Sequence, residues 1–195
     1  MKKINPISSY KLVFLYVLLF SKFNLFSQLS DLGRFQINYT KGCSPFAVII
    51  LKENLDPNVT VVQYDFNYSK TTQIFNPSSV KEFMYHTTGK YTIAQAINQD
   101  GIEKIDYIEI EVFESKIPEI VIYNCASNEL QIKIEDTYYD TYNLYFNDLL
   151  IKELEKGNNL INYSSYLLPD NKLKGFIKGS FEDKDYGSNN DNSCK

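Results

Sequence analysis

Residues able to carry out catalysis are few in this chain of 195 residues. His86 is the only histidine, so a zinc site or a catalytic site with two histidines cannot form within one chain. Cys43 and His86 together would allow a thiolate–imidazolium pair, but no motif surrounds either, and a histidine in a turn is the simpler interpretation. The glycine patterns that bind phosphate or present a catalytic serine are also missing. The sequence therefore predicts a protein that is not an enzyme and binds no cofactor.

One acidic segment is spaced almost like a calcium-binding loop. Asp183 and Asp185 precede Gly187, but the glycine comes one position early and the closing glutamate is missing. We therefore expect no metal site there and interpret residues 182–195 as a solvated polar tail.

Four tyrosines lie close together in the second half of the chain and are candidates for a binding face: Tyr138, Tyr139, Tyr142 and Tyr145. Flat aromatic rings offer apolar surface to sugars while their hydroxyl edges stay polar. Ordinary strand residues are the alternative, since tyrosine is common in β-strands. The expected partner is an extracellular protein or a polysaccharide.

The N-terminus has the three parts of a secretory signal peptide. Lys2 and Lys3 precede the apolar run 12–20, and Ser27 is a small residue before a cut at Gln28. The run is too short to cross the roughly 30 Å of a bilayer core. We expect residues 1–27 to be removed and the rest to be secreted, periplasmic or at the cell surface, without a membrane span. A retained membrane anchor is the alternative.

The charge of the chain disfavours nucleic acid as a partner. The leader carries four lysines and no acid, so the remaining chain has 16 basic and 24 acidic residues. An acidic chain lacks the positive surface that binds a phosphate backbone, and no cluster of lysine and arginine compensates for this.

The elements that must position these residues are predicted to be β-strands in two modules, 30–114 and 117–195. The stretch 108–112 alternates isoleucine or valine with glutamate, which is typical of a half-buried strand. A break that contains proline follows at 114–118, and such a break commonly joins two sheets. We predict an all-β fold of two tandem immunoglobulin-like β-sandwiches, each slightly below the roughly 100 residues of that class.

Short strands separated by turn residues are predicted throughout both modules. Asp100-Gly101 is a strong hairpin signal, and Asn147-Asp148 and residues 157–159 also read as turns. The segment 148–156 would suit a short helix, but its extended neighbours favour a strand. The predicted strands are 34–40, 46–52, 59–66, 80–85, 90–98, 103–113, 120–123, 130–135, 142–146, 149–154, 160–163 and 173–181.

Three short motifs in the first module have a recognisable spacing. The strand opening at 42–46 reads Gly-Cys-Ser-Pro-Phe, the segment 64–66 reads Tyr-Asp-Phe, and the segment 85–93 contains Tyr-x-x-x-Gly-x-Tyr-x-Ile. Together they resemble the PKD (polycystic kidney disease-type) domain, an immunoglobulin-like module of cell-surface and exported proteins. The family continues the second motif with Gly-Asp-Gly, whereas residues 67–69 are Asn-Tyr-Ser here. The match covers about residues 40–113, and its residues are Gly42, Pro45, Tyr64, Asp65, Phe66, Tyr85, Gly89 and Tyr91.

The same residues also have structural interpretations that need no family. Gly89 permits a backbone conformation that residues with a β-carbon avoid, and Tyr85 and Tyr91 are expected to pack on the core on either side of that turn. Asp65 at a strand end is expected to accept hydrogen bonds from backbone N–H groups. The second module resembles, in layout only, the immunoglobulin or fibronectin III domains that follow PKD modules in surface proteins of Bacteroidetes-type bacteria.

Two functions are compatible with this resemblance and with the missing catalytic residues. The first is a non-catalytic exported or cell-surface module that serves adhesion or spacing, or that binds protein or glycan. The alternative is an accessory module or fragment of a secreted hydrolase system whose catalytic domain lies on another chain.

Cleavage of the leader should be visible in the mass of the protein. Intact-mass measurement on material from the native host should show the loss of the first 27 residues. A full-length mass in the membrane fraction would contradict the cleavage.

The three cysteines all lie in the expected mature chain, in a compartment that is expected to be oxidising. Cys125 opens the second module and Cys194 closes it, so we predict a Cys125–Cys194 disulfide and a free thiol at Cys43 in the first module. A Cys43–Cys125 bond across the linker is the alternative. Closing a loop of about 70 residues would stabilise the module by about 4 kcal/mol. Non-reducing peptide mapping should find the bond, whereas a disulfide peptide with Cys43, or three free thiols, would disprove it.

Overall fold

The computed structural model describes residues 28–124, 129–166 and 174–189. The expected signal peptide and the expected Cys125–Cys194 disulfide lie outside these residues. Within them the strands form four sheets, and the only helical element is a single turn at Ser164–Tyr166. The prediction of an all-β fold is therefore confirmed. No helix in this part of the chain is long and apolar enough to span a membrane.

Residues 28–113 form two of the sheets, which together we call the first unit. Its strands are β1 (Gln28–Leu29), β2 (Phe35–Ile37), β3 (Lys41–Cys43), β4 (Phe46–Glu53), β5 (Val59–Asp65), β6 (Glu82–Tyr85), β7 (Gly89–Gln99) and β8 (Ile102–Phe113). One sheet has the strand order β1-β2-β4-β6 and the other β3-β8-β7-β5. Strands β3 and β8 are parallel, and the other pairs are antiparallel.

Apolar side chains that alternate along these strands fill the space between the two sheets. In β8, Ile110 and Val112 are buried while Glu109 is exposed, as the sequence pattern predicted. Phe35 of one sheet meets Tyr64 of the other edge to face, with ring centroids 5.7 Å apart. One hydrophobic cluster thus joins both sheets, which is the packing of a β-sandwich.

The described residues from 120 to 189, that is 120–124, 129–166 and 174–189, contain the other two sheets, which we call the second unit. Its strands are β9 (Ile120–Asn124), β10 (Glu129–Ile134), β11 (Thr141–Phe146), β12 (Leu149–Leu154), β13 (Gly157–Asn162), β14 (Gly175–Phe181) and β15 (Lys184–Asn189). The sheet orders are β13-β10-β9 and β12-β11-β14-β15. Side chains of both sheets, such as Ile132 and Leu144, again share one hydrophobic cluster.

Pairs of residues with positive φ close three hairpins in the described part of the chain. Asp100 and Gly101 have φ of +54° and +79°, and Asn147 and Asp148 have +52° and +65°. Positive φ at both central residues characterises the tight hairpin turns that match the twist of the flanking strands, so both predicted turns are confirmed. The third pair, Glu182-Asp183, has φ of +47° and +65°.

The third hairpin corrects one prediction from the sequence, and other boundaries need correction too. Residues 182–189 are a turn followed by β15 instead of a polar tail. Residues 157–159 belong to β13 and are not a turn. Strands β1 and β3 are missing from the prediction because two or three residues are too few to show alternation. The strand at Leu149–Leu154 is confirmed over the helical alternative.

A buried carboxylate fixes the N-terminal segment to the first unit. Asp106 is fully buried and accepts hydrogen bonds from the Ser30 hydroxyl at 2.6 Å, the Leu32 N–H at 2.9 Å and the Arg34 N–H at 3.1 Å. The Ser30 hydroxyl in turn accepts the Phe35 N–H at 3.1 Å. A carboxylate is tolerated in an interior only when it is hydrogen-bonded. The segment 30–34 therefore supplies the donors that Asp106 needs, and Asp106 in turn holds that segment in place.

Removal of the Asp106 carboxylate should destabilise the fold. We expect Asp106→Ala to lower the free energy of unfolding by about 3 kcal/mol, because each donor left without its acceptor costs about 1–3 kcal/mol when buried. Urea denaturation measures the change. Glu103→Ala, at an exposed position of the same strand, is the matched control and should change the free energy by under about 0.5 kcal/mol. Equal midpoints for the two variants would contradict the role of Asp106.

Candidate functional site

Asp65, in the centre of the second motif, is a structural hydrogen-bond acceptor. It lies at the end of β5, is buried, and accepts the N–H groups of Asn67 at 2.9 Å and Asn76 at 2.8 Å. These bonds hold the loop that follows β5, as predicted for an aspartate at a strand end.

Tyr85, Gly89 and Tyr91 form the predicted corner. Gly89 has a φ of +150°, in the range that favours glycine. Tyr85 is buried, and its hydroxyl donates to the Phe66 carbonyl at 2.5 Å. The centroids of the Tyr85 and Tyr91 rings are 4.5 Å apart. The Tyr91 hydroxyl donates to the Thr87 carbonyl at 3.0 Å. The two tyrosines thereby fasten the turn to the core.

Tyr64 belongs to a chain of hydrogen bonds inside the first unit. Its hydroxyl donates to Glu53 at 2.7 Å and accepts from the Gln95 amide at 2.9 Å, and the Lys81 ammonium lies 2.8 Å from Glu53. Burial alone would raise the pKa of Glu53, but the hydrogen bonds from Lys81 and Tyr64 outweigh it and lower the pKa overall. Burial, followed by Glu53, raises the pKa of Tyr64. Glu53 therefore stays ionised and Tyr64 protonated at neutral pH, which suits a structural network.

Cys43 is a free, buried thiol. Its Sγ donates to the Glu114 carbonyl at 3.5 Å, and burial raises the pKa of the thiol to about 11, the reverse of what an activated cysteine needs. His86 is exposed. The thiolate–imidazolium alternative therefore finds no support. Although β3 is part of the first unit, the Cys43 side chain packs in the hydrophobic cluster of the second.

A polar contact joins the β14–β15 hairpin to the loop before β3. The Glu182 carboxylate accepts the N–H groups of Thr40 at 2.7 Å and Lys41 at 3.2 Å, and also the Thr40 hydroxyl. The Lys41 ammonium lies 3.3 Å from Asp140. Both acids belong to the second unit, so the two units are held together on either side of Lys41.

Gly42 allows the units to approach closely beside this polar contact. A β-carbon at Gly42 would overlap the Phe46 ring and the Tyr186 hydroxyl. Pro45, the other motif residue of this segment, is exposed and follows a cis peptide bond. The strand opening is thus needed for packing between the units as well as within the first.

Tyr138 and Tyr139 hold the linker between the units. The Tyr138 hydroxyl donates to the Glu114 carbonyl at 2.7 Å. The Tyr139 hydroxyl donates to the Lys116 carbonyl at 2.6 Å and accepts the Lys116 N–H at 2.9 Å. The Tyr139 ring lies against Gly179, where a β-carbon would overlap it.

The four candidate tyrosines therefore do not form one exposed face, and that expectation is wrong. Tyr139 and Tyr142 are only 2% and 1% exposed, and Tyr138 is turned to the linker. Tyr142 and Tyr145 lie on one strand, three positions apart, so they point to opposite sides of the sheet. Only Tyr145 lies on the outer side.

Tyr145 belongs instead to a mixed surface on the outer side of the sheet β12-β11-β14-β15. Residues directly opposite each other in antiparallel strands share a face, so Leu150, Tyr145 and Phe176 form a row across three strands. The Tyr145 and Phe176 rings are stacked 5.1 Å apart at 10°. Asn143 and Lys178 form a polar row beside it. We call this surface the outer platform; it consists of Asn143, Tyr145, Leu150, Phe176, Lys178 and Asp185.

Asp185 organises the polar part of the outer platform. Its carboxylate accepts the Asn143 amide at 2.9 Å and also the Tyr145 hydroxyl. The Lys178 ammonium lies 4.0 Å from Asp185, 5.1 Å from the Tyr145 ring centre and 5.5 Å from that of Phe176. Burial and, after it, the hydrogen bond to Asp185 raise the pKa of Tyr145 to about 12, so the hydroxyl remains a donor at neutral pH.

Sequence reasoning found one of these six residues as a binding candidate. The alternation in β11 would have assigned Tyr145 and Asn143 to the outer side, since Tyr142, Leu144 and Phe146 are the buried set. The pairing of Tyr145 with Phe176 depends on strand register, which the pattern of a single strand does not contain.

Residues 28–124, 129–166 and 174–189 contain no group of three or more His, Cys, Asp or Glu side chains that could hold a metal ion. An open depression of about 630 Å³ lies beside the linker and includes Asp136. That carboxylate accepts the N–H groups of Glu119 at 3.1 Å and Tyr138 at 2.8 Å, so it shapes the loop.

No family model matches the chain, and no curated protein is significantly similar to it. The resemblance to the PKD domain therefore rests on the motif residues described above.

Proposed function

We propose that this chain is a non-catalytic exported protein of two tandem immunoglobulin-like sandwiches, the first of them PKD-like, which acts at or outside the cell surface as a rigid binding and spacer module. The observation that carries this proposal is the contact between the two units. A spacer must fix the distance between its ends, and a linker alone would leave two domains free to reorient.

The contact has an apolar and a polar part. From the first unit, Cys43 and Phe113 pack into the hydrophobic cluster of the second, and the Phe113 ring stacks on Phe181 at 4.5 Å and 19°. Glu182 adds charge-assisted hydrogen bonds to the backbone of the first unit, which are about twice as strong as neutral ones. Ring packing together with directional hydrogen bonds favours one orientation of the two units relative to each other.

The use of the buried acids supports a non-catalytic role. The Asp65 and Asp106 carboxylates are bound to backbone N–H groups that shape loops, and the Cys43 thiol has a raised pKa. A general acid or base needs an accessible group whose pKa lies near the working pH. The Asp65 and Asp106 carboxylates are buried and therefore not accessible, and the Cys43 thiol is buried with a pKa raised to about 11.

Amide hydrogen exchange at Thr40 and Lys41 tests the contact, because both N–H groups donate to Glu182. In Glu182→Asn the shorter side chain no longer reaches them, while asparagine tolerates the positive φ of the turn. Exchange at both amides should become at least about tenfold faster, which corresponds to the loss of a hydrogen bond to a charged group.

Asp183→Asn, in the same turn, is the matched control and should leave both exchange rates unchanged. In the wild-type protein, ¹⁵N relaxation should give one rotational correlation time for both units. Two separate correlation times would contradict the rigid arrangement and with it the spacer function.

A further inference from the structure

We propose that the outer platform binds a neutral polysaccharide. This inference rests on the proposed function, because it names the ligand class of a non-catalytic binding module. It concerns a surface that lies entirely on the second unit.

The apolar row of the outer platform lies where polar residues are usual: Leu150 is exposed, and Tyr145 and Phe176 are half-buried. The outer side of a sheet that covers a core normally carries polar side chains, yet Leu150, Tyr145 and Phe176 lie there side by side. Three adjacent strands span about 10 Å. The Tyr145 and Phe176 rings stack on each other, and the parts of the rings that remain exposed, together with Leu150, give apolar surface over this length. The C–H groups of successive sugar rings can pack on such surface.

A β-bulge places Leu150 in this row. The register of β11 and β12 shifts between Leu144 and Tyr145, so that Leu144 faces Lys152 while Tyr145 faces Leu150. Ile151 is the extra residue and packs against the core. Bulges often redirect a side chain at a functional surface, and this one extends the apolar row to the edge of the sheet.

The polar row offers the complementary chemistry for hydroxyl groups. An amide, an ammonium and a carboxylate lie beside the rings in Asn143, Lys178 and Asp185. Together they provide donors and acceptors beyond the bonds that they make to one another. Because Asp185 also fixes the Tyr145 hydroxyl, the aromatic and polar groups are held in one arrangement before a ligand arrives, which lowers the entropic cost of binding.

The charges favour a neutral ligand over an anionic one. Lys178 is balanced by Asp185 at 4.0 Å, and Lys174, 5.9 Å from the Phe176 ring centre, is paired with Asp148 at 3.2 Å. The whole chain has a formal net charge of −4, so its field repels polyanions. A chain of uncharged sugars meets no such penalty.

A similar cluster on the first unit provides a control. The Lys70 ammonium lies 5.3 Å from the Tyr107 ring centre and 2.8 Å from Glu109. The ring beside Tyr107 in the described residues is that of Tyr68, which is tilted by 30° and buried. This cluster therefore has the charges and one tyrosine of the outer platform without its stacked pair of rings.

Affinity electrophoresis in gels that contain laminarin, xylan, galactomannan, dextran or alginate tests the proposal. The purified protein should be retarded by at least one of the four neutral polysaccharides and not by alginate. Tyr145→Ala and Phe176→Ala should each weaken the retardation constant at least tenfold. Tyr145→Phe, which keeps the ring, should change it less than threefold, and Tyr107→Ala should leave it unchanged.

Thermal denaturation confirms that each variant is folded. If Tyr145→Ala does not fold, Leu150→Ala replaces it, because Leu150 is 58% exposed and its truncation leaves the core intact; a loss of at least threefold is then expected. Retardation by alginate alone, by no neutral polysaccharide, or equally by wild type and the platform variants would overturn the proposal. If one of these results is found while ¹⁵N relaxation still gives a single correlation time for both units, the polysaccharide proposal fails but the proposed rigid module stands.

Discussion

Contact between aromatic rings and glycine backbone is the constraint on which the arrangement of the two units depends. The Tyr139 ring lies against Gly179. In this position its hydroxyl reaches both the backbone N–H and the backbone carbonyl of Lys116 in the linker. The Tyr186 hydroxyl approaches Gly42 in the same way from the other unit. A larger residue at Gly179 would push the Tyr139 ring outward, and its hydrogen bonds to the linker would be lost with it. A larger residue at Gly42 would push Phe46 and Tyr186 away from the contact between the units.

Backbone N–H groups are the main partners of the acids that organise this fold. Asp65, Asp106 and Glu182 each accept two or three donors from a loop. Hydrogen bonds stabilise the ionised form of a carboxylate without a nearby cation. Asp65 and Asp106 are therefore buried in this acidic chain with backbone N–H groups as their partners.

Local patterns in the sequence predicted the strands well, because burial alternates along them. The alternation in β8 and the Asp100-Gly101 turn both appear in the structure as expected. The same rule, applied to β11, would have separated Tyr142 from Tyr145 and removed the expected tyrosine face. β15 was missed because its residues are mostly polar, and only its partner β14 shows that Lys184–Asn189 is extended.

Local sequence patterns could not predict the contacts between residues that are far apart in the sequence. Thr40 and Glu182 are 142 positions apart, and nothing in the composition of either segment indicates the other. The stacking of Tyr145 on Phe176 depends on a register that the whole sheet sets. The junction and the outer platform are consequently properties of the tertiary structure, whereas the corner at Gly89 and the hairpin turns are properties of short segments.

The hydrogen bond between Ser30 and Asp106 has a consequence for how the chain could be degraded from its N-terminal side. Gln28, the expected first residue after removal of the leader, is part of β1, and Ser30 is held in the interior two positions later. An aminopeptidase must thread a free, extended terminus into its own active site. To proceed past this point it would have to unpair β1 from β2 and draw Ser30 away from a buried carboxylate, so the chain would carry its own resistance to trimming from that end.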